Sequence, residues 1–276
     1  MSPAAVAWID GRWGPAAALS IPLDDRGLQL ADGLFETLLV AGGRPRLLEP
    51  HLQRWRRSAE QLGMAAPPQR QRLEPLLAEA IARAELGHGE GALRLNWSRG
   101  PHPGRGIGLA EGPAVAEQHR FWLQLTPTAA TFSPVTAIVS RQERRNADSL
   151  LSHCKTFAYG QAIQARREAQ LAGADEALLL SSTGELCCGS SANLLVRRGG
   201  TWLTPPLSSG CLPGVMRGRL LQLGLAREAR LEARPEPGDQ WLLINSLSCR
   251  PLASLDGQRL EPWGGTEPLW RGLLDD

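Results

Sequence analysis

From Ala5 to Leu48 the apolar residues fall in short runs separated by turn residues, a pattern of strands rather than helices. The run "FETLLV" (35–40), the turn "AGGRPR" (41–46) and the "RLLEP" that follows predict a hairpin. At Glu49 and Pro50 the period changes. Proline suits the first turn of a helix, and Leu52, Trp55, Ala59 and Leu62 then share one face, with Arg54 and Arg57 on the other sides. A second helix is expected at about 70–85. "GALRLNWSRG" (91–100) alternates as a strand should, and a glycine-rich loop runs from Pro101 to Gly108.

Between "FWLQL" (121–125) and "VTAIVS" (135–140) lies "TPTAATFSP", which has two prolines, three threonines and no periodicity. A chain of 276 residues exceeds the usual single core, so this stretch is read as a linker, 126–133, between a domain at 1–125 and another at 134–276. The second half reads as strand, the segment around Lys155, a helix at about 159–172, strand "EALLL", a turn at Ser182–Gly184 and further strands. A Gly-Gly hairpin, a helix from about Gly214 and closing strands complete it.

Composition removes several function classes. Thirty basic residues against 28 acidic, with no basic run, argue against a nucleic-acid partner. No run approaches the roughly 18 apolar residues of a membrane helix, and the N-terminus lacks the charged start and apolar middle of a secretion signal, so a cytoplasmic protein is expected. The cysteines, Cys154, Cys187, Cys188, Cys211 and Cys249, are odd in number and show no zinc-site spacing; reduced thiols and no metal are expected.

One residue stands apart from this composition. Lys155 is the only lysine among the 30 Lys and Arg residues, and Tyr159, four positions on, is the only tyrosine. Arginine carries charge and grips carboxylates, but its guanidinium does not lose a proton and cannot act as a primary-amine nucleophile. A lysine amine can condense with an aldehyde, and pyridoxal 5'-phosphate is the commonest aldehyde held this way. Composition alone leaves a surface lysine open as well.

The surroundings of Lys155 resemble the fold-type IV pyridoxal-phosphate enzymes, the class IV aminotransferase family. The likeness runs through "DDRGLQLADGLFET" (24–37), "EPHLQR" (49–54), "SRGPHPGRG" (98–106), "HCKTFAY" (153–159), "GELCCGSSANLLV" (184–196) and "LPGVMR" (212–217). It implies an α/β fold of two domains, an N-terminal α/β sandwich and a C-terminal pseudobarrel with the cofactor between them, and a homodimer. It further implies Lys155 as the amine that carries the cofactor, with Arg54, the amides of Val215 and Met216, and Ser246 on its phosphate. Guanidinium forks and helix N-termini suit such an anion. Tyr159 resembles the tyrosine aimed at the cofactor's phenolic oxygen.

One position departs from the family. Where the resemblance places a glutamate on the pyridine nitrogen, five residues before Asn193, this chain has Cys188. Glu185 lies three residues earlier, on the opposite face of a strand if alternation holds. Either a bulge shifts the register, or the ring nitrogen meets a thiol. A thiol stabilises a carbanion on the ring less than a carboxylate does, which disfavours transamination more than elimination.

Within the family "SRGPHPGRG" and "NSLSCRPL" (245–252) are most similar to aminodeoxychorismate lyase, with Arg105 as the expected contact to a substrate carboxylate and Arg94 and Arg99 as weaker candidates. Ile107 replaces the usual aromatic after "GRG". The implied reaction is elimination of pyruvate from 4-amino-4-deoxychorismate to give 4-aminobenzoate, a folate precursor. The alternatives are a branched-chain or D-amino acid aminotransferase and a pyridoxal-phosphate-binding protein without catalysis.

Overall fold

The computed structural model describes residues 4–101, 106–109 and 111–275, and the chain forms two compact units: Met1–Ala130 with Lys155–Ala158, and Thr131–Cys154 with Tyr159–Asp276.

The first unit is an antiparallel sheet backed by helices. Its strands are β1 (Val6–Ile9), β2 (Arg12–Gly14), β3 (Gly33–Ala41), β4 (Arg44–Pro45), β5 (Glu90–Ser98) and β6 (Arg120–Pro127), in the spatial order β2-β1-β6-β5-β3-β4. Its helices are α1 (Arg26–Leu30), α2 (Leu48–Gln61) and α3 (Arg70–Arg83). Leu52, Trp55 and Ala59 are buried on α2, and Leu73, Leu77, Ala80 and Ile81 on α3, so the 3.6-residue apolar stripe of each helix meets the sheet. Strand β3 pairs with β5 along its length, placing Phe35 opposite Asn96 and Thr37 opposite Arg94.

Lys155–Ala158 completes this unit. Phe35 N donates to Lys155 O at 2.9 Å, Phe157 N donates to Gly33 O at 3.0 Å, and Leu34 bridges Thr156. The segment is therefore extended along the start of β3. A Cβ on Gly33 would overlap the Phe157 ring, which explains the glycine there.

The second unit contains β7 (Val135–Arg145), α4 (Gly160–Leu171), β8 (Glu176–Ser181), β9 (Leu186–Gly189), β10 (Asn193–Arg198), β11 (Thr201–Thr204), α5 (Val215–Gln222), β12 (Ala226–Glu228), β13 (Gln240–Asn245), β14 (Ser248–Leu255), β15 (Gln258–Arg259) and α6 (Thr266–Gly272). Strands β10-β13-β14-β7-β8-β9 follow one another in the sheet, and β9 pairs back to β10 through Cys188 and Asn193. That single pairing closes a six-membered ring of strands, the expected pseudobarrel. Leu178, Leu186, Leu194, Val196, Trp241 and Leu243 fill one face, and α4 covers another with Ala165 and Ala169.

Candidate active site

In the first unit the charged side chains gather around β3. Glu36 sits in an otherwise apolar strand and is almost fully buried at 1% exposure, so it needs partners. Arg54 supplies two, with Nε donating to Oε1 at 2.8 Å and Nη2 to Oε2, and Nδ1 of His51 lies 2.7 Å from Oε2. Arg54 is thus turned inward by Glu36 rather than displayed on an outer side of α2. Burial alone would raise the Glu36 pKa, but Arg54 and His51 outweigh it and hold the carboxyl down at about 2. Burial lowers the His51 pKa and outweighs the hydrogen bond and charge of Glu36, which raise it; the cations Arg54 and Lys155 push the same way as burial. The imidazole is therefore neutral at pH 7. Because an ionised carboxylate can only accept, Nδ1 of His51 carries the proton.

On the neighbouring position of β3 the Phe35 ring gathers two more cations. Lys155 Nζ lies 4.2 Å from its centroid and the Arg94 guanidinium carbon 3.6 Å. Phe35 stacks on Phe157 at 6.3 Å, and Phe157 meets Trp122 at 5.5 Å. Arg94 Nε donates to Asn96 Oδ1 at 2.7 Å. The structure therefore brings Lys155, Arg94 and Phe35 together, with Glu36 next to Phe35 on β3 and His51 and Arg54 on α2.

Of the other candidate arginines, Arg99 is occupied by structure: it donates to Asp32 and to the carbonyls of Leu62 and Gly63, so it is corrected to a fold residue. Arg105 lies outside the described residues. The neighbouring Ile107 and Gly108 are tied down through their carbonyls by the buried Arg26.

In the second unit the turn and helix expected at "LPGVMR" are present, with Gly214 as N-cap and Val215 and Met216 as the first helical residues of α5. Asn193 holds this end, donating from Nδ2 to Leu212 O at 2.9 Å, and a Cβ on Gly214 would overlap Asn193 Oδ1. Arg217 of the same motif is buried on Pro205 O and Glu228, a structural role. Ser246 lies in the β13–β14 turn, two residues beyond Ile244, which pairs with Asn193. Tyr159 is the half-buried N-cap of α4.

Cys188 sits at the barrel seam, and its surroundings correct the assumption of simple alternation. Leu179 pairs with Cys188 but Leu180 with Leu186, so Cys187 is an extra residue in β9. Cys187 and Cys188 consequently face the same core as Leu179 and Cys211, whereas Leu186 faces the other. The bulge also removes the argument that Glu185 is on the wrong face, yet Glu185 accepts from the Thr183 hydroxyl at 2.6 Å and does not replace Cys188 beside Asn193. A hydrogen bond from Cys187 lowers the Cys188 pKa against the effect of burial, and the Arg145 guanidinium adds to the lowering; the same bond, and then burial, raise that of Cys187.

In the first unit, an amine on a cationic strand edge and an arginine aimed by a buried carboxylate fit a phosphorylated aldehyde. Sequence reasoning missed Glu36, His51, Phe35, Asn96 and Asn193. Glu36 did leave a signal, an acid inside the apolar run "LFETLLV".

Comparison with known proteins agrees. The model of the family described as amino-transferase class IV matches residues 33–255. D-alanine aminotransferase of Bacillus licheniformis is 25% identical over 96% of this chain and 93% of its own length. The crystal structure of a putative 4-amino-4-deoxychorismate lyase from Legionella pneumophila is 28% identical, covers 94% of this chain and 96% of its own, and superposes with a TM-score of 0.81. The pyridoxal-phosphate-bound form of a hypothetical aminotransferase from Mycobacterium tuberculosis shares the fold with a TM-score of 0.81 at 24% identity, covering 98% of both chains.

Proposed function

The chain belongs to the class IV aminotransferase family, whose cofactor is pyridoxal 5'-phosphate, and from its site we propose that it is a 4-amino-4-deoxychorismate lyase, releasing pyruvate and 4-aminobenzoate. The observation that carries the choice of reaction is Cys188. At the barrel seam this chain offers a thiol where the family resemblance places a carboxylate, so the cofactor ring receives less help in holding a full carbanion. Aromatisation supplies driving force to the elimination and to no transamination. The likeness to the Legionella pneumophila protein supports the same choice.

In this reading Lys155 Nζ carries the cofactor aldehyde. Arg54, aimed by Glu36, the amides of Val215 and Met216, and Ser246 hold the phosphate, and Tyr159 donates to the phenolic oxygen. When bound, the cofactor supplies the electron sink next to the substrate amine. Arg94 receives a substrate carboxylate, with Arg105 as a second candidate. Lys155 would act as the base that takes the proton from the carbon bearing the substrate amine. The electron pair so released becomes a ring double bond as the C–O bond to the enolpyruvyl group breaks, and that group takes a proton to leave as pyruvate. The same reading makes the working unit a homodimer; Leu28 and Leu30 on α1, with Ile107 and Leu109, are exposed apolar residues available for cover.

The second reading, a D-amino acid aminotransferase, is favoured by the match to the Bacillus licheniformis enzyme. The test is turnover by the cofactor-loaded protein. Pyruvate release from enzymatically made 4-amino-4-deoxychorismate is expected. Amino transfer from D-alanine to 2-oxoglutarate without pyruvate release from that substrate would give the assignment to the second reading. Absence of both reactions in a protein that holds the cofactor leaves binding without catalysis.

A further inference from the structure

The pseudobarrel of the second unit ends in a polar cavity. One core cluster takes residues from all six strands of the closed ring, Leu178, Leu243 and Leu252 among them, so it fills the inside. Alternate residues of a strand share a face. Glu176 stands two residues before Leu178 on β8, and Arg250 pairs with Leu243 and stands two residues before Leu252 on β14. Both therefore project inward, at the end of the barrel where β7 and β8 begin. The cavity there measures about 100 Å³, against the roughly 10 to 15 Å³ that one water needs. Arg166 of α4, Glu176, Ser191, Asn245, Ser248 and Arg250 are among the residues that line it. Cys188 packs with Leu179 in the other core, and Cys188, Val215, Met216 and Ser246 are not in this lining.

The charges of the lining do not cancel. Glu176 is already spent: Oε2 takes Arg166 Nη2, and Oε1 accepts from Ala177 N at 2.8 Å and Ser190 N at 3.3 Å. Asp175, whose charge both guanidiniums feel, lies outside the lining and accepts from Thr136 N and Oγ1 at 2.8 and 2.9 Å. Arg250 is oriented by neutral groups, with Nε donating to Ser133 O at 3.0 Å and Nη2 to Ser133 Oγ at 3.3 Å. Two guanidiniums thus meet one carboxylate, and the excess is positive. Asn245 braces the rim: Nδ2 donates to Ser191 O at 3.3 Å, and Oδ1 accepts from Leu247 N at 2.8 Å and Ser248 Oγ at 3.0 Å. The β13–β14 turn is thereby tied to the β9–β10 turn, and the Ser191 hydroxyl, a rotatable donor, rides on braced backbone.

We propose that this barrel-end cavity binds a small oxyanion, a free phosphate or the phosphate group of a small monoester, on the guanidiniums of Arg166 and Arg250 with the Ser191 hydroxyl as a further donor. Guanidinium forks from a helix and a strand, with a hydroxyl from a turn, reach a tetrahedral ion from several sides. The site is separate from the residues proposed to hold the cofactor, and neither Lys155 nor Cys188 takes part.

The test is a calorimetric titration of the cofactor-loaded protein with inorganic phosphate, and with glycerol 3-phosphate, at constant ionic strength. Saturable binding of phosphate to one site is expected, with the cofactor's near-visible band unchanged. Arg250→Gln should weaken it about tenfold, as the loss of one charged hydrogen bond does. Arg250→Lys keeps the charge without the fork and should weaken it by a smaller factor, which preserves the test if the glutamine variant does not fold. Binding of glycerol 3-phosphate as well supports the proposal and extends it to monoesters; binding of phosphate alone supports it for the free ion. Absence of saturable binding, binding indifferent to both Arg250 variants, or binding that abolishes the cofactor band overturns it.

Discussion

In the first unit a buried carboxylate, Glu36, orients the arginine assigned to an anion; in the second, the buried seam position next to Asn193 is a thiol, Cys188, with Cys187 bulged in beside it. Both positions are almost closed to water, so the choice of group decides the local charge. Glu36 is held ionised by Arg54 and His51, and the cluster keeps a fixed guanidinium on α2. In the thiol pair the hydrogen bond between the two lowers the Cys188 pKa and raises that of Cys187, and the Arg145 guanidinium adds to the lowering. On the proposed reading, strong electrostatics are kept where a phosphate would be gripped and relaxed beside the cofactor ring. That distribution suits an elimination whose product is aromatic.

The harshest way to break the first half of the contrast is Glu36→Gln. Removing one member of a buried charged cluster costs about 3 to 5 kcal/mol, measurable by denaturant unfolding at neutral pH. The acid limb gives an independent check. The Glu36 pKa falls from 4.5 to about 2 on folding, so its contribution, on the order of 3 kcal/mol, is present above pH 4.5 and lost as the pH falls toward 2. The variant should lack that loss. A variant as stable as the parent, with the same acid limb, would mean that Glu36 does not hold Arg54 in solution.

A smaller effect sharpens the second half. Cys188→Glu restores the acid that the family resemblance implies, and one pKa unit of extra interaction with the ring corresponds to about tenfold in rate. The ratio of amino transfer to pyruvate release should rise by about that factor, with Cys188→Ser leaving it near the parent value. A ratio indifferent to the glutamate would remove Cys188 from the neighbourhood of the ring.

Local patterns carried a good part of this architecture. The helix from Pro50 was legible because Leu52, Trp55 and Ala59 repeat at helical spacing, and β5 because "GALRLNWS" alternates. Lys155 stands out by chemistry, as the one lysine in an arginine-rich chain, and its place beside β3 with Phe35 and Arg94 came only with the fold. The relations between distant segments were not legible. Glu36 and Arg54 are separated by 18 positions and meet only when α2 packs on β3. The bulge at Cys187 follows from how β8 and β9 pair, which no pattern within "LCCG" reveals. The extended course of Lys155–Ala158 depends on its pairing with the start of β3, more than 100 positions away, which spacing within the segment cannot reveal.

The claim on which all of this depends is that Lys155 bears the cofactor. Borohydride reduction of the holoprotein followed by peptide mapping tests it directly. The account requires a single pyridoxyl modification, on the peptide containing Lys155, with loss of the near-visible band. A reduced protein with an unmodified Lys155, or with the band unaffected, would contradict it.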